Sequence, residues 1–185
     1  MSDQQLSLLG PDPNVMQRRA SNPAHSVWVS ASAGSGKTKV LTDRVLSLLL
    51  TGTRPERILC ITFTKAAAAE MANRLNGILG TWATLPQPEL SDQIEDLLDR
   101  QPDAETVILA RQLFARVLDT PGGLKIQTVH SFCQSLLGRF PLEANVPPQF
   151  QVLDDRSASE MMARARDTVL RAAEGDTPLA DALYQ

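Results

Sequence analysis

Cysteine is scarce in this sequence: two residues in 185, Cys60 inside an apolar run and Cys133 in a separate segment, with no CxxC spacing that could build a metal cage or a redox pair. A reducing, cytoplasmic setting is the reading that follows. The first thirty residues lack a basic stretch leading into an apolar one, and no apolar run approaches the roughly 18 residues needed to span a bilayer. Neither secretion nor a membrane span is expected. Repetition is lacking too, since no segment recurs at a solenoid-like period.

What is there fits an ordinary globular chain, with 43% hydrophobic and 21% charged residues. A chain of this size buries roughly 70% of the surface its unfolded form exposes, enough for one core without staples. The net charge of −3 is unevenly spread, because residues 89–105 hold seven acidic side chains against one arginine. That segment carries −6, so the remainder carries −3 − (−6) = +3. A mildly basic body with one acidic segment permits nucleic-acid binding without requiring it, because local surface rather than total charge decides.

The pattern along the chain alternates between α and β. Residues 1–13 read as a flexible arm, followed by a short helix around Asn14 to Ala20. Val27, Trp28 and Val29 form a β-prone run before the small-residue stretch Ala31 to Gly36, and Lys37 to Leu50 follows with apolar residues at 41, 45, 48 and 49. A second unit repeats the order: Arg57 to Phe63 contains the run Ile58, Leu59, Cys60, Ile61 of a buried strand, and Lys65 to Leu79 carries a helical stripe at Ala68, Met71, Leu75 and Ile78. Two such units in series predict a parallel sheet with flanking helices. An acidic amphipathic insertion on the rim of the sheet is expected over about 81–103, then a helix over Glu105 to Leu118, a turn at Pro121 to Gly123, a third strand over Lys125 to Val129 and a helix from Ser131. A proline-containing connection follows Phe140, and Ser157 with Glu160 predicts a capping box for a helix that Gly175 stops.

Three segments carry chemistry. In Ala31-Ser32-Ala33-Gly34-Ser35-Gly36-Lys37-Thr38, a Walker A loop with alanine at its first position, Gly34 and Gly36 can turn successive N–H groups inward around phosphates at a helix N-terminus. Lys37 would neutralise the β and γ oxygens of a nucleoside triphosphate, and Thr38 would ligate Mg²⁺. Ile61-Thr62-Phe63-Thr64-Lys65 places hydroxyls, an aromatic and a lysine at the C-terminal end of a parallel strand, where ligands meet open α/β sheets, and Thr128-Val129-His130-Ser131-Phe132 does the same. Such groups suit single-stranded nucleic acid, through stacking and phosphate contacts. Taken alone, each of the two segments also reads as a core-edge turn with Phe63 and Phe132 in ordinary packing. His130 has no second ligand at metal spacing.

These segments, in this order and spacing, resemble UvrD-like superfamily 1 helicases, and the resemblance covers about residues 12–155. ASAGSGKT, KAAAAEM, KIQTVHSFCQSLL with RFPLEANVPP, and FQVLDD resemble the AddA family of helicase-nuclease subunits in its alphaproteobacterial form. The resemblance implies a P-loop, RecA-like ATP-binding domain over 14–140, incomplete, and the connection and start of a helical subdomain over 141–185. It implies ATP and Mg²⁺ at the loop, with Gln17 recognising adenine. Thr62, Phe63, Thr64, Lys65, Thr128, His130 and Ser131 become DNA contacts. The expected partners are single-stranded DNA, duplex ends and an AddB-type subunit, with no membrane, in recombinational repair of double-strand breaks by 3′–5′ unwinding. No Asp-Glu pair ends an apolar strand here, so the water-activating carboxylate, the arginine fingers and a nuclease domain are expected elsewhere in a longer protein.

A single-stranded DNA-binding module, a P-loop kinase or GTPase, and a UvrD-type helicase without nuclease are the alternatives.

Overall fold

The computed structural model describes residues 12–30, 32, 34 and 36–173. Most of the expected N-terminal arm, the loop positions Ala31, Ala33 and Ser35, and the helix stop at Gly175 lie outside the described residues. The chain divides into two compact units, 1–132 and 133–185.

In the first unit the helices begin where side chains satisfy free N–H groups. Helix α1 (Pro13–Ser21) starts at Asp12, whose Oδ1 accepts from Asn14 N at 2.9 Å, with proline in the first turn where no N–H is needed. Helix α2 (Lys37–Leu50) starts at Gly36 and turns Val45, Leu46, Leu49 and Leu50 inward. Leu41, expected on that stripe, is 48% exposed. Strand β1 (Leu59–Thr62) leads through Thr64, which caps helix α3 (Lys65–Thr84) by accepting from Ala67 N at 3.1 Å. Helix α3 buries Met71, Leu75, Leu79 and Trp82, at three- and four-residue spacing along one face. Helices α4 (Gln87–Leu98) and α5 (Ala104–Asp119) add Leu90, Ile94, Val107, Ala110, Leu113 and Val117 to the same core. The acidic segment is thus held in place by its apolar side, with Leu90 and Ile94 fully buried, while Glu89, Asp92 and Asp96 face water.

Strand β2 (Lys125–Thr128) pairs with β1 in parallel, with Leu59 opposite Lys125 and Thr62 opposite Thr128. Helices α3 to α5 form the crossover between them, as parallel pairing requires. The result is a mixed α/β unit with a two-stranded parallel sheet among the described residues.

Three expectations are corrected. Val27 to Val29 form no strand and are 41%, 95% and 42% exposed, because a strand needs a hydrogen-bonding neighbour and β1 and β2 take each other. The run around Cys60 is buried on one face only: Ile58 and Cys60 point inward and Leu59 and Ile61 outward, since α3 packs on a single side. The third strand ends at Thr128 and its helix, α6 (Val129–Arg139), begins two residues early, because the Thr128 hydroxyl accepts from Ser131 N at 3.1 Å and caps it.

Helix α6 carries the chain into the second unit, where Phe140 to Phe150 form turns and helix α7 (Asp155–Ala173) follows. The expected capping box does not form. Asp154 takes the cap position, its Oδ1 accepting from Ser157 N at 2.7 Å, while Glu160 accepts from Arg156 Nε at 3.0 Å. A shorter acidic side chain just ahead of the helix reaches its free N–H groups directly, which leaves Glu160 to an intrahelical ion pair.

Candidate functional site

Two backbone positions shape the glycine loop. Gly34 has φ +79° and Gly36 φ +85°, in the left-handed region that glycine enters without the clash a β-carbon brings. Gly36 hands the chain to α2, so the helix opens with its first N–H groups on the loop. Lys37 and Thr38 occupy the first two positions of that helix, both exposed, and Lys37 Nζ donates to the Ser32 carbonyl at 2.5 Å across the loop. The Thr38 carbonyl accepts from Thr42 Oγ1 at 2.8 Å, inside the helix.

Helix α1 lies against this turn. A β-carbon built on Gly36 would stand 3.0 Å from Gln17 Nε2 and 3.6 Å from Gln17 Cδ, so the side-chain amide of Gln17 fills the space that glycine leaves. Gln17 also walls two clefts. One, of 450 Å³, runs past Met16, Trp28 and Lys37; the other, of 440 Å³, runs past Asn14, Lys39, Asp43 and Trp82. The loop, its lysine and the glutamine therefore share one surface region.

A second region forms at the C-terminal edge of the sheet. Because Thr62 and Thr128 are register partners on parallel strands, the two segments singled out from sequence, far apart along the chain, leave the sheet side by side. Phe63 is 90% exposed and takes no part in the core, which removes its packing reading. Lys65 is exposed at the start of α3, and the Thr64 side chain is committed to capping that helix. Thr128 is buried, its hydroxyl 2.9 Å from Ser131 Oγ, so these two hydroxyls hold each other as well as the helix start. His130 projects beside them, exposed. No cluster of three or more His, Cys, Asp or Glu side chains that could hold a metal ion occurs among the described residues. No described helix is long and apolar enough to cross a membrane.

Residues 13–181 match the UvrD/REP helicase N-terminal domain. The chain belongs to this family. Among its relatives, the AddA-type component of the ATP-dependent helicase/nuclease of Lactobacillus gasseri is 38% identical over 161 residues, covering 86% of this chain and 11% of the relative. The protein of the same name from Lactobacillus johnsonii is 40% identical over 136 residues, covering 74% of this chain and 10% of the relative. The chain thus spans about a tenth of the length of the relatives it matches. Family membership accounts for the glycine loop and the two strand-end segments occurring on one chain. Sequence reading did not single out Arg44, whose guanidinium reaches three main-chain carbonyls between Ala20 and His25. Its only signal was a lone arginine among the apolar residues of α2, since backbone acceptors leave no mark in a sequence.

Proposed function

We propose that this chain is the ATP-binding front of a DNA helicase, and that the protein carrying it uses ATP hydrolysis to move along single-stranded DNA. The observation that carries the proposal is the pairing of Thr62 with Thr128, which sets an exposed aromatic and several polar groups at one sheet edge of a chain that also bears a glycine loop. The loop suits a nucleoside triphosphate: glycines at positive φ allow inward N–H groups, and the start of α2 contributes the positive end of its dipole. Lys37 would bind the β and γ phosphates, Thr38 would be a ligand of Mg²⁺, and Gln17 would recognise adenine. Bound Mg²⁺ would neutralise phosphate charge. Ala31 to Ser35 would line the remainder of the loop. We assign the domain reading accordingly, with an incomplete RecA-like domain over 14–140 and a connection into a helical subdomain over 141–185.

At the sheet edge, Phe63 would stack on a base while Thr62, Lys65 and His130 contact the strand. Thr64, Thr128 and Ser131 would shape that edge through the helix caps they form. By the name its relatives carry, the parent protein would pair unwinding with nuclease activity and work in a heterodimer with an AddB-type partner. Its role would be the processing of broken DNA ends for recombination, by unwinding in the 3′–5′ sense.

The test is steady-state ATPase activity of the full-length protein with and without oligo-dT. The proposal expects turnover to rise on adding DNA and to vanish in Lys37→Ala. ATPase activity indifferent to DNA would favour a P-loop kinase or GTPase; DNA binding indifferent to ATP would favour a simple binding module.

A further inference from the structure

Arg44 lies mid-way along α2, half-buried, and reaches back to the segment that ends α1. Its Nη1 donates to the Ala20 carbonyl at 3.2 Å and the Asn22 carbonyl at 2.7 Å, and its Nη2 donates to the His25 carbonyl at 2.6 Å. Carbonyls at a helix C-terminus lack intrahelical donors and form the negative end of its dipole, so a guanidinium there is held by charge as well as by hydrogen bonds. The planar fork serves several acceptors at once, which a lysine ammonium does less well. Asn22 Oδ1 accepts from Ala24 N at 2.9 Å and keeps the turn in which two of these carbonyls lie.

This clamp sits one turn from Gln17. Helix α1 therefore meets α2 at two places: at the Gly36 end through the Gln17 amide, and about two turns further on through Arg44. The other polar tie on α1, Arg18 to Asp99 at 2.8 Å, joins side chains that are 54% and 72% exposed and holds little. Fixing the end of α1 fixes where its preceding turn points.

We propose that Arg44 is a positioning residue for nucleotide selection: by clamping the Ala20, Asn22 and His25 carbonyls it keeps Gln17 at the glycine loop. It governs nucleotide affinity and base preference rather than turnover. The inference rests on the reading of Gln17 as the base-recognising residue.

Kinetics on the full-length protein with saturating DNA test it, comparing ATP with GTP in Arg44→Met, Gln17→Ala and the double variant. Each single change is expected to raise KM for ATP about tenfold while kcat stays within about twofold, and to lower the ATP-over-GTP ratio of kcat/KM. The double variant should be no worse than Gln17→Ala, because Arg44 acts through that residue. Arg44→Lys, which keeps the charge and loses the fork, should fall between wild type and Arg44→Met. The nucleotide ratio is measured on one preparation and does not depend on the folded fraction, so a partly unfolded variant still reports. An unchanged ratio in Arg44→Met beside a collapsed ratio in Gln17→Ala overturns the inference and leaves the helicase reading standing. Effects that multiply in the double variant overturn it as well. Wild-type KM and preference in Gln17→Ala would instead remove the assignment of Gln17, and the inference with it.

Discussion

The side-chain amide of Gln17 occupies the place where a β-carbon on Gly36 would point, 3.0 Å from Nε2. Gly36→Ala therefore meets two penalties: a left-handed backbone at φ +85°, which costs an L-residue about 1–2 kcal/mol, and displacement of Gln17. Gly52 offers the control, with φ +86° and open space around its α-carbon. Affinity for a fluorescent ATP analogue should fall by at least about tenfold in Gly36→Ala and stay unchanged in Gly52→Ala, although both melt earlier. Equal affinity in both variants would separate Gln17 and Gly36 from the nucleotide site.

Lys37→Ala should abolish DNA-stimulated ATPase activity with little change in melting temperature. Its side chain is exposed at the first position of α2 and supports no part of the core. Charge-assisted hydrogen bonds to phosphate are worth about 1.5–3 kcal/mol each, and more as charge develops during transfer. Wild-type turnover in this variant would end the P-loop assignment.

Phe63→Ala should weaken binding of oligo-dT by about 1–3 kcal/mol, with similar losses for other base sequences, because stacking is tolerant of base identity. At 90% exposure, truncation opens no cavity, so the melting temperature should hold. Calorimetry and a fluorescence titration on the same variant check both halves; full DNA affinity would remove the stacking role.

Thr128 should affect stability before it affects DNA. Its buried hydroxyl accepts from Ser131 N and lies 2.9 Å from Ser131 Oγ, so Thr128→Val loses the cap of α6 and should cost about 1 kcal/mol, while Thr128→Ser should recover most of it. Denaturant midpoints decide between them, and equal midpoints for the valine and serine variants would show that the cap contributes nothing.

Asp103 gives a pH signature. Hydrogen bonds from the Thr106 hydroxyl and from its backbone N–H hold the Asp103 carboxyl below its ordinary range. A depressed folded pKa contributes stability above the unfolded value, about pH 4, and that contribution is lost as pH falls through the lower folded value. Asp103→Asn should keep a capping oxygen and flatten this acid-side loss. A melting-temperature profile from pH 5 downward that is identical in both proteins would contradict the assignment.

Much of the helical layout was legible in sequence because it rests on local chemistry. The stretch from Lys37 to Leu50 follows from a glycine start and apolar spacing, and the α3 stripe from Met71 and Leu75 needs nothing beyond its own period. Strands depend on partners distant in sequence. The valines flanking Trp28 have β-prone side chains but no ladder, and Leu59 and Ile61 look buried by composition yet face outward on a sheet covered from one side. The glycine loop was legible for the opposite reason, since its requirement for positive φ at Gly34 and Gly36 leaves few residue choices. The meeting of Thr62 with Thr128 was not legible from either segment alone; it is set by strand register. Arg44 escaped notice because its partners are main-chain oxygens.

The long crossover between the paired strands also orders events during synthesis. About sixty residues separate Thr62 from Lys125, so at about 5–20 residues per second the second strand leaves the ribosome roughly 3–12 seconds after the first. In that interval α3, α4 and α5 can bring Leu75, Leu79, Leu90, Ile94 and Leu113 together through contacts close in sequence, on a timescale of microseconds to milliseconds. The β1 edge meanwhile has no native neighbour and is open to pairing with another nascent chain. A helical platform that forms first and holds β1 against α3 until β2 arrives makes the delay tolerable, and places the apolar side of the acidic helix among the earliest parts of the chain to become protected from water.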